Sequence, residues 1–158
     1  MKLLFICTHN RCRSILAEAI SNHVAGGKII AASAGSSPQG AVHPLSLKYL
    51  AEHQIPIDGL QSQSWDEFES FSPDGILTLC DSAANETCPV WFDNSAQVLW
   101  GLADPSREQA NDSDQAAMFA QTIDILTRRI EAVLQPHTVN LRGEALQTAL
   151  RQIAIEIQ

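Results

Sequence analysis

The chain has 158 residues, of which 45% are hydrophobic and 18% charged, and its formal net charge is −8. That balance excludes a disordered, highly charged chain and fits one folded unit with a sizeable core. The acidic surplus argues against nucleic acid or an anionic membrane as partner, while a small oxyanion stays compatible with a locally basic pocket.

In chain order, Leu3 to Ile6 form a short apolar run that predicts a strand ending at Cys7. The chain turns polar at Thr8, and no apolar stretch nears the roughly 18 residues of a membrane span, so a cytoplasmic protein without a signal peptide is expected. From Arg13 onward Ile15, Leu16, Ala19, Ile20 and Val24 recur at helical spacing until Gly26-Gly27. Lys28 to Ala32 read as a second strand, which implies a parallel pair with a right-handed crossover. Pro44 opens a helix carrying Leu45, Leu47, Leu50 and Ala51, and Ile55-Pro56 ends it. A short helix is expected near Trp65 to Glu69.

Pro73-Asp74-Gly75 leads into a third strand, Ile76 to Leu79, which delivers Cys80 much as the first delivers Cys7. Ala96 to Trp100 read as a fourth strand, followed by the loop Gly101 to Pro105. Ala117, Met118, Ile123, Ile125, Leu126, Ile130 and Val133 mark a helix from about Asp114 to Leu134, which Pro136 stops. Leu146, Leu150, Ile153 and Ile157 mark a last helix from Gly143. The alternation predicts a single-domain α/β fold over residues 1–158, a three-layer sandwich around a parallel sheet of four strands. Ligands bind beyond the carboxyl ends of such strands, so Cys7, Cys80 and Asp104 are expected on one rim.

The segment Cys7-Thr8-His9-Asn10-Arg11-Cys12-Arg13-Ser14 is a C-x5-R-S loop between a strand and a helix start. Amides entering a helix N-terminus converge on an oxyanion, and Arg13 can clamp two of its oxygens. The same field favours the thiolate of Cys7, which Ser14 can hold by a hydrogen bond. Cys7 could instead be a buried small apolar residue, and for Cys12 a structural thiol is the better reading. Asp104-Pro105 is a common turn pair, yet a carboxyl at that rim could act as general acid. Cys80 and Cys88 suggest a relay of thiol exchange, since a phosphatase needs only Cys7, Arg13 and Asp104. The alternative is a core Cys80 and an incidental surface Cys88. No Cys or His spacing suits a metal ligand set.

Taken together, the loop, the Ser33-Ala34-Gly35 turn, Leu77 to Cys80, Cys88-Pro89 and Trp100 to Ser106 resemble the arsenate reductases built on the low-molecular-weight protein tyrosine phosphatase fold. The resemblance spans roughly the first 130 residues and makes the helix from about 143 to 157 an extension beyond a core of about 1–135. It implies Cys7 as nucleophile, Thr8 to Ser14 as the oxyanion cradle with Arg13, and Asp104 as acid. It further implies a covalent arseno adduct on Cys7, a Cys7–Cys80 disulfide, and its transfer to Cys80–Cys88. Thioredoxin, or glutaredoxin with glutathione, would then reduce that disulfide, and no bound cofactor is implied.

Three departures stand out. Some members hold potassium with an Asn, a Glu, a Ser and an Asp; Asn10, Glu18 and Ser33 match, but Gln63 stands at the Asp position. The interval between Cys80 and Cys88 is one residue longer than in thioredoxin-coupled members, which keeps glutaredoxin in view. Ser106 stands where the phosphatases carry Tyr. The rival expectations are a phosphatase of phosphotyrosine or small phosphomonoesters, and a non-catalytic oxyanion-binding or thiol-sensing protein.

Overall fold

A computed structural model describes residues 1–109 and 111–158. Its centre is a four-stranded parallel sheet in the order β2-β1-β3-β4, with β1 Lys2–Ile6, β2 Ile30–Ala34, β3 Gly75–Thr78 and β4 Ala96–Leu99. The helices are α1 Arg13–Val24, α2 Pro44–Glu52, α3 Asp81–Ala84, α4 Asp112–Val133 and α5 Gly143–Glu156.

Strand alternation divides the core into two. Leu3, Phe5, Leu77 and Val98 point into a large cluster with Leu16, Ile20, Leu50, Phe119, Leu126, Leu146 and Leu150 from the helices. Leu4, Ile6 and Ile76 point to the other face, against Trp65, Phe92 and Ala83. The sandwich is therefore lopsided: long helices cover one face, while α3 and the 3-10 turns Trp65–Glu67, Glu69–Phe71 and Val90–Asn94 cover the other.

The strands shift slightly from their expected positions. The second runs Ile30–Ala34 rather than Lys28 to Ala32, because pairing with β1 sets Lys2 opposite Ile30. The third starts at Gly75 and ends at Thr78, since Gly75 pairs with Leu3 and Ala96. The short helix near Trp65 is two 3-10 turns, the polar segment after Cys80 contains α3, and Ala117 faces solvent. Among the described residues no helix is long and apolar enough to cross a membrane.

Candidate active site

Each strand of the pair β1 and β3 ends by handing a cysteine to the same rim, because parallel neighbours in register finish together. Ile6 lies opposite Thr78, so Cys7 and Cys80 leave adjacent strands within two positions of each other. Both are buried and share the smaller core cluster. The loop after β4 brings Asp104 to the same place, lining one cavity with Cys7, Thr8, Arg11, Arg13 and Ser82.

The loop Thr8 to Cys12 is held from outside by its carbonyl oxygens. Ser37 and Gln39 donate their backbone N–H groups to Thr8 and His9, and His43 donates to Arg11. Gly35 packs against this loop so closely that an added Cβ would fall 2.5 Å from the Thr8 carbonyl oxygen and 2.7 Å from that of Cys7. Among the described residues no side chain caps α1, which leaves its first amides available to an anion.

A buried polar chain orients Cys7. Gln63 donates its backbone N–H to Asn10 Oδ1 at 2.7 Å, so the Asn10 amide points its two N–H groups at Ser14 Oγ (2.8 Å) and Ser33 Oγ (2.9 Å). Ser14 Oγ, which accepts from Asn10, lies 2.9 Å from Cys7 Sγ and can give its own proton to the thiolate form of that sulfur, and Ser33 donates to Glu18 at 2.6 Å. Asn10 adopts φ 43°, a left-handed conformation that Asn tolerates better than most residues. Burial raises the pKa of Glu18, against the hydrogen bonds from Ser33. Asn10 Oδ1 is thus taken by the Gln63 N–H, Ser33 Oγ links Asn10 Nδ2 to Glu18, and Gln63 Nε2 donates to Ser33 O at 3.5 Å. Gln63 brings no carboxylate to this set, so it lacks one of the charges that the potassium-binding arrangement uses.

Arg13 is stapled across the ends of two other loops. Its Nη1 donates to Leu102 O at 3.0 Å and Leu79 O at 3.5 Å, and its Nη2 lies 3.5 Å from Asp104 Oδ2. The other carboxylate oxygen of Asp104 accepts from both the backbone and the hydroxyl of Ser106, at 3.0 and 2.6 Å. Burial works to raise the Asp104 pKa, but Ser106, Arg13 and Arg107 outweigh it and hold the carboxyl below its ordinary value. Asp104 is therefore ionised at neutral pH and must gain a proton before it can donate one.

The remaining thiols differ sharply. Cys12 also lines the cavity, but it is buried and its pKa is pushed up to about 12, mainly by loss of water, so it stays a thiol at neutral pH. Burial also opposes ionisation of Cys80, yet Ser82 Oγ at 3.4 Å and the Ala83 and Thr8 backbone groups bring its pKa below that of an ordinary thiol, and the Thr8 hydroxyl lies 3.7 Å from its sulfur. Cys88 is exposed, and burial, Glu86 and Asp93 together raise its pKa. His9 sits at the exposed mouth with Nδ1 3.3 Å from Ser37 O, and Arg11 Nη1 is bonded to Gln39 at 2.9 Å. Asn10 and Ser14 are fully buried and orient the loop rather than line the cavity. Sequence reading missed Ser106 as the partner of Asp104 and Thr8 as the partner of Cys80; both bonds join a residue type common in loops to a group whose position only the fold determines. Among the described residues no cluster of His, Cys, Asp or Glu could hold a metal ion.

Residues 2–147 match the model of the low molecular weight phosphotyrosine protein phosphatase family. The arsenate reductase of Halalkalibacterium halodurans is 33% identical over 129 residues, covering 82% of this chain and 91% of that protein. A solved arsenate reductase in a phosphate-binding state superposes with a TM-score of 0.69 at 27% identity, over 84% of this chain and 95% of its own. The thioredoxin-dependent arsenate reductase of Corynebacterium glutamicum gives 0.60 at 26% identity, over 82% of this chain and 61% of its own. With 146 of 158 residues inside the family model (2 to 147 inclusive) and such relatives over four-fifths of its length, the chain belongs to the low molecular weight phosphotyrosine protein phosphatase family and groups within it with the arsenate reductases.

Proposed function

We propose that this chain reduces arsenate to arsenite with three of its own thiols. The observation that carries the reading is Cys80, a buried thiol bonded to Thr8 of the oxyanion loop, made acidic by its neighbours and followed along the chain by the exposed Cys88. A hydrolase acting through Cys7, Arg13 and Asp104 has no use for either. The similarity to arsenate reductases points the same way.

In this reaction Cys7 Sγ attacks the arsenic of an arsenate held by the loop amides and Arg13. An As–S bond forms and one As–O bond breaks, the oxygen leaving as water. Asp104 takes up a proton as the anion settles beside it, since a like charge raises a carboxyl pKa, and passes it to the departing oxygen. Cys80 then attacks Cys7 Sγ. The As–S bonding pair stays with arsenic, arsenite departs, and a Cys7–Cys80 disulfide remains. Cys88 next attacks Cys80, Cys7 leaves as thiolate, and a Cys80–Cys88 disulfide faces solvent. An external thiol reductant, thioredoxin or glutaredoxin with glutathione, restores it. Both electrons gained by arsenic come from this thiol pair.

Phosphomonoester hydrolysis is the alternative that the family name and Cys7, Arg13 and Asp104 would allow. The cavity lining carries no Tyr, Phe or Trp among the described residues to grip an aryl ester, which favours a small free oxyanion. The test is arsenate-dependent oxidation of reduced thioredoxin or glutaredoxin by the wild type and by Cys7→Ser, Cys80→Ser and Cys88→Ser. Each substitution is expected to abolish turnover. Brisk phosphomonoester hydrolysis that only Cys7→Ser removes would establish the hydrolase instead.

A further inference from the structure

Residues 84–89 carry Cys88, yet little ties them to the body of the protein. Ala84, Asn85, Thr87 and Cys88 are exposed, and the nearest buried anchors are Ala83 and Phe92. Their recorded hydrogen bonds are mostly local. Asn85 and Glu86 donate N–H groups to Ser82 and Ala83, Asn85 Nδ2 donates to Asp81 O, and Cys88 Sγ donates to Glu86 O. Among the described residues one side-chain bond leaves this stretch: Thr8 Oγ1 donates to Glu86 Oε1 at 3.2 Å. Thr8 belongs to the oxyanion loop and lines the cavity, and the same hydroxyl lies 3.0 Å from Ser82 Oγ and 3.7 Å from Cys80 Sγ.

We infer that Glu86 is a charge-sensitive latch, fastening the Cys88 segment to the oxyanion loop and releasing it when a divalent oxyanion binds. The inference rests on the oxyanion-binding part of the proposed function and adds a positioning role for Glu86. A carboxylate one hydroxyl away from the cradle is repelled by a doubly charged oxyanion, and the partly desolvated rim strengthens that repulsion relative to bulk water. A ligand shifts a conformational equilibrium only by binding one state better, and here the unlatched state binds better because its carboxylate has swung away. The coupling is reciprocal: a closed latch weakens oxyanion binding by the factor with which the oxyanion opens it. The segment that must travel for Cys88 to meet Cys80 is thus freed when the site is charged with substrate.

The probe is inorganic phosphate, which carries the same charge as arsenate and is not reduced. Hydrogen exchange of residues 81–90 and phosphate affinity are measured on the full chain, wild type and Glu86→Gln, at low and high salt. Gln keeps the acceptor oxygen and removes the charge. In the wild type, phosphate should speed exchange of this segment several-fold; in Glu86→Gln it should not. The variant should bind phosphate roughly fivefold more tightly at low salt, and the gain should shrink as salt screens the charge. Binding without faster exchange in the wild type, or an equal response in both proteins, overturns the latch and leaves the cradle standing. Failure of both proteins to bind phosphate overturns the cradle and the latch together.

Discussion

Ser14 Oγ accepts from Asn10 and keeps its own proton free for a Cys7 thiolate, so the placement of that hydroxyl depends on a side chain buried away from the cavity. A hydrogen bond to a charged group is worth roughly 1.5–3 kcal/mol, so Ser14→Ala should slow alkylation of Cys7 at pH 7 about tenfold, measured by peptide mapping. An unchanged rate would remove Ser14 from the account. The thiols should separate by pH. Cys80, with its pKa lowered, should reach half-maximal alkylation rate below an ordinary thiol and Cys88 above one, while Cys12 stays inert until about pH 12. A reversed order of Cys80 and Cys88 would contradict the relay. Asp104 carries the opposite consequence for stability. Its folded pKa is depressed, so its contacts with Arg13 and Ser106 stabilise above the ordinary carboxyl range, and that contribution disappears as pH falls through the lowered value. Asp104→Asn should cost about 1 kcal/mol near pH 7 in urea titrations, with the gap closing below about pH 4. A gap that ignores pH would show that the ion pair contributes nothing.

Among the elements, those with long apolar periodicity lie where the pattern put them: α1 begins at Arg13, α4 ends at Val133 and α5 begins at Gly143. The strands moved because register is a property of pairs. Ile30 is over half exposed, although its side chain is as apolar as any in β1; its partner Lys2 lies at the open start of the sheet. α3 was unreadable because four polar or small residues make a single turn with no apolar face to repeat. The helical layer hides another contact with no sequence signal. Arg129, near the C-terminal end of α4, is buried, donates to Trp100 O and Ile157 O at 2.9 Å each, and lies over the Trp100 ring. It joins β4, α4 and the end of α5. Arg129→Met should cost about 2–3 kcal/mol, because two carbonyls lose a charged donor, and thermal melting would register it. A melting temperature within a degree of the wild type would make the arginine a bystander.

For the molecule as a whole, the strand order places β1 between β2 and β3, so the oxyanion loop is braced by the residues after β2 and faced by those after β3 and β4. Thiols distant in sequence can act in series for that reason. One round of arsenate exposure without added reductant should leave the protein two hydrogens lighter, with the change located on Cys80 and Cys88 by peptide mass spectrometry. An unmodified Cys88 would confine the chemistry to Cys7 and Cys80. The local sequence by itself determined the strand-loop-helix that makes the cradle, the nucleophile at its start and the long helices, because backbone preference and apolar periodicity act over a few neighbouring residues. Only the tertiary structure decided which hydroxyl faces which sulfur: Thr8 on Cys80 and Glu86, Ser106 on Asp104, and Asn10 behind Ser14. The two bonds of Thr8 join residues from different loops, and a hydrogen bond formed only within about 3.5 Å leaves no periodic trace in the chain.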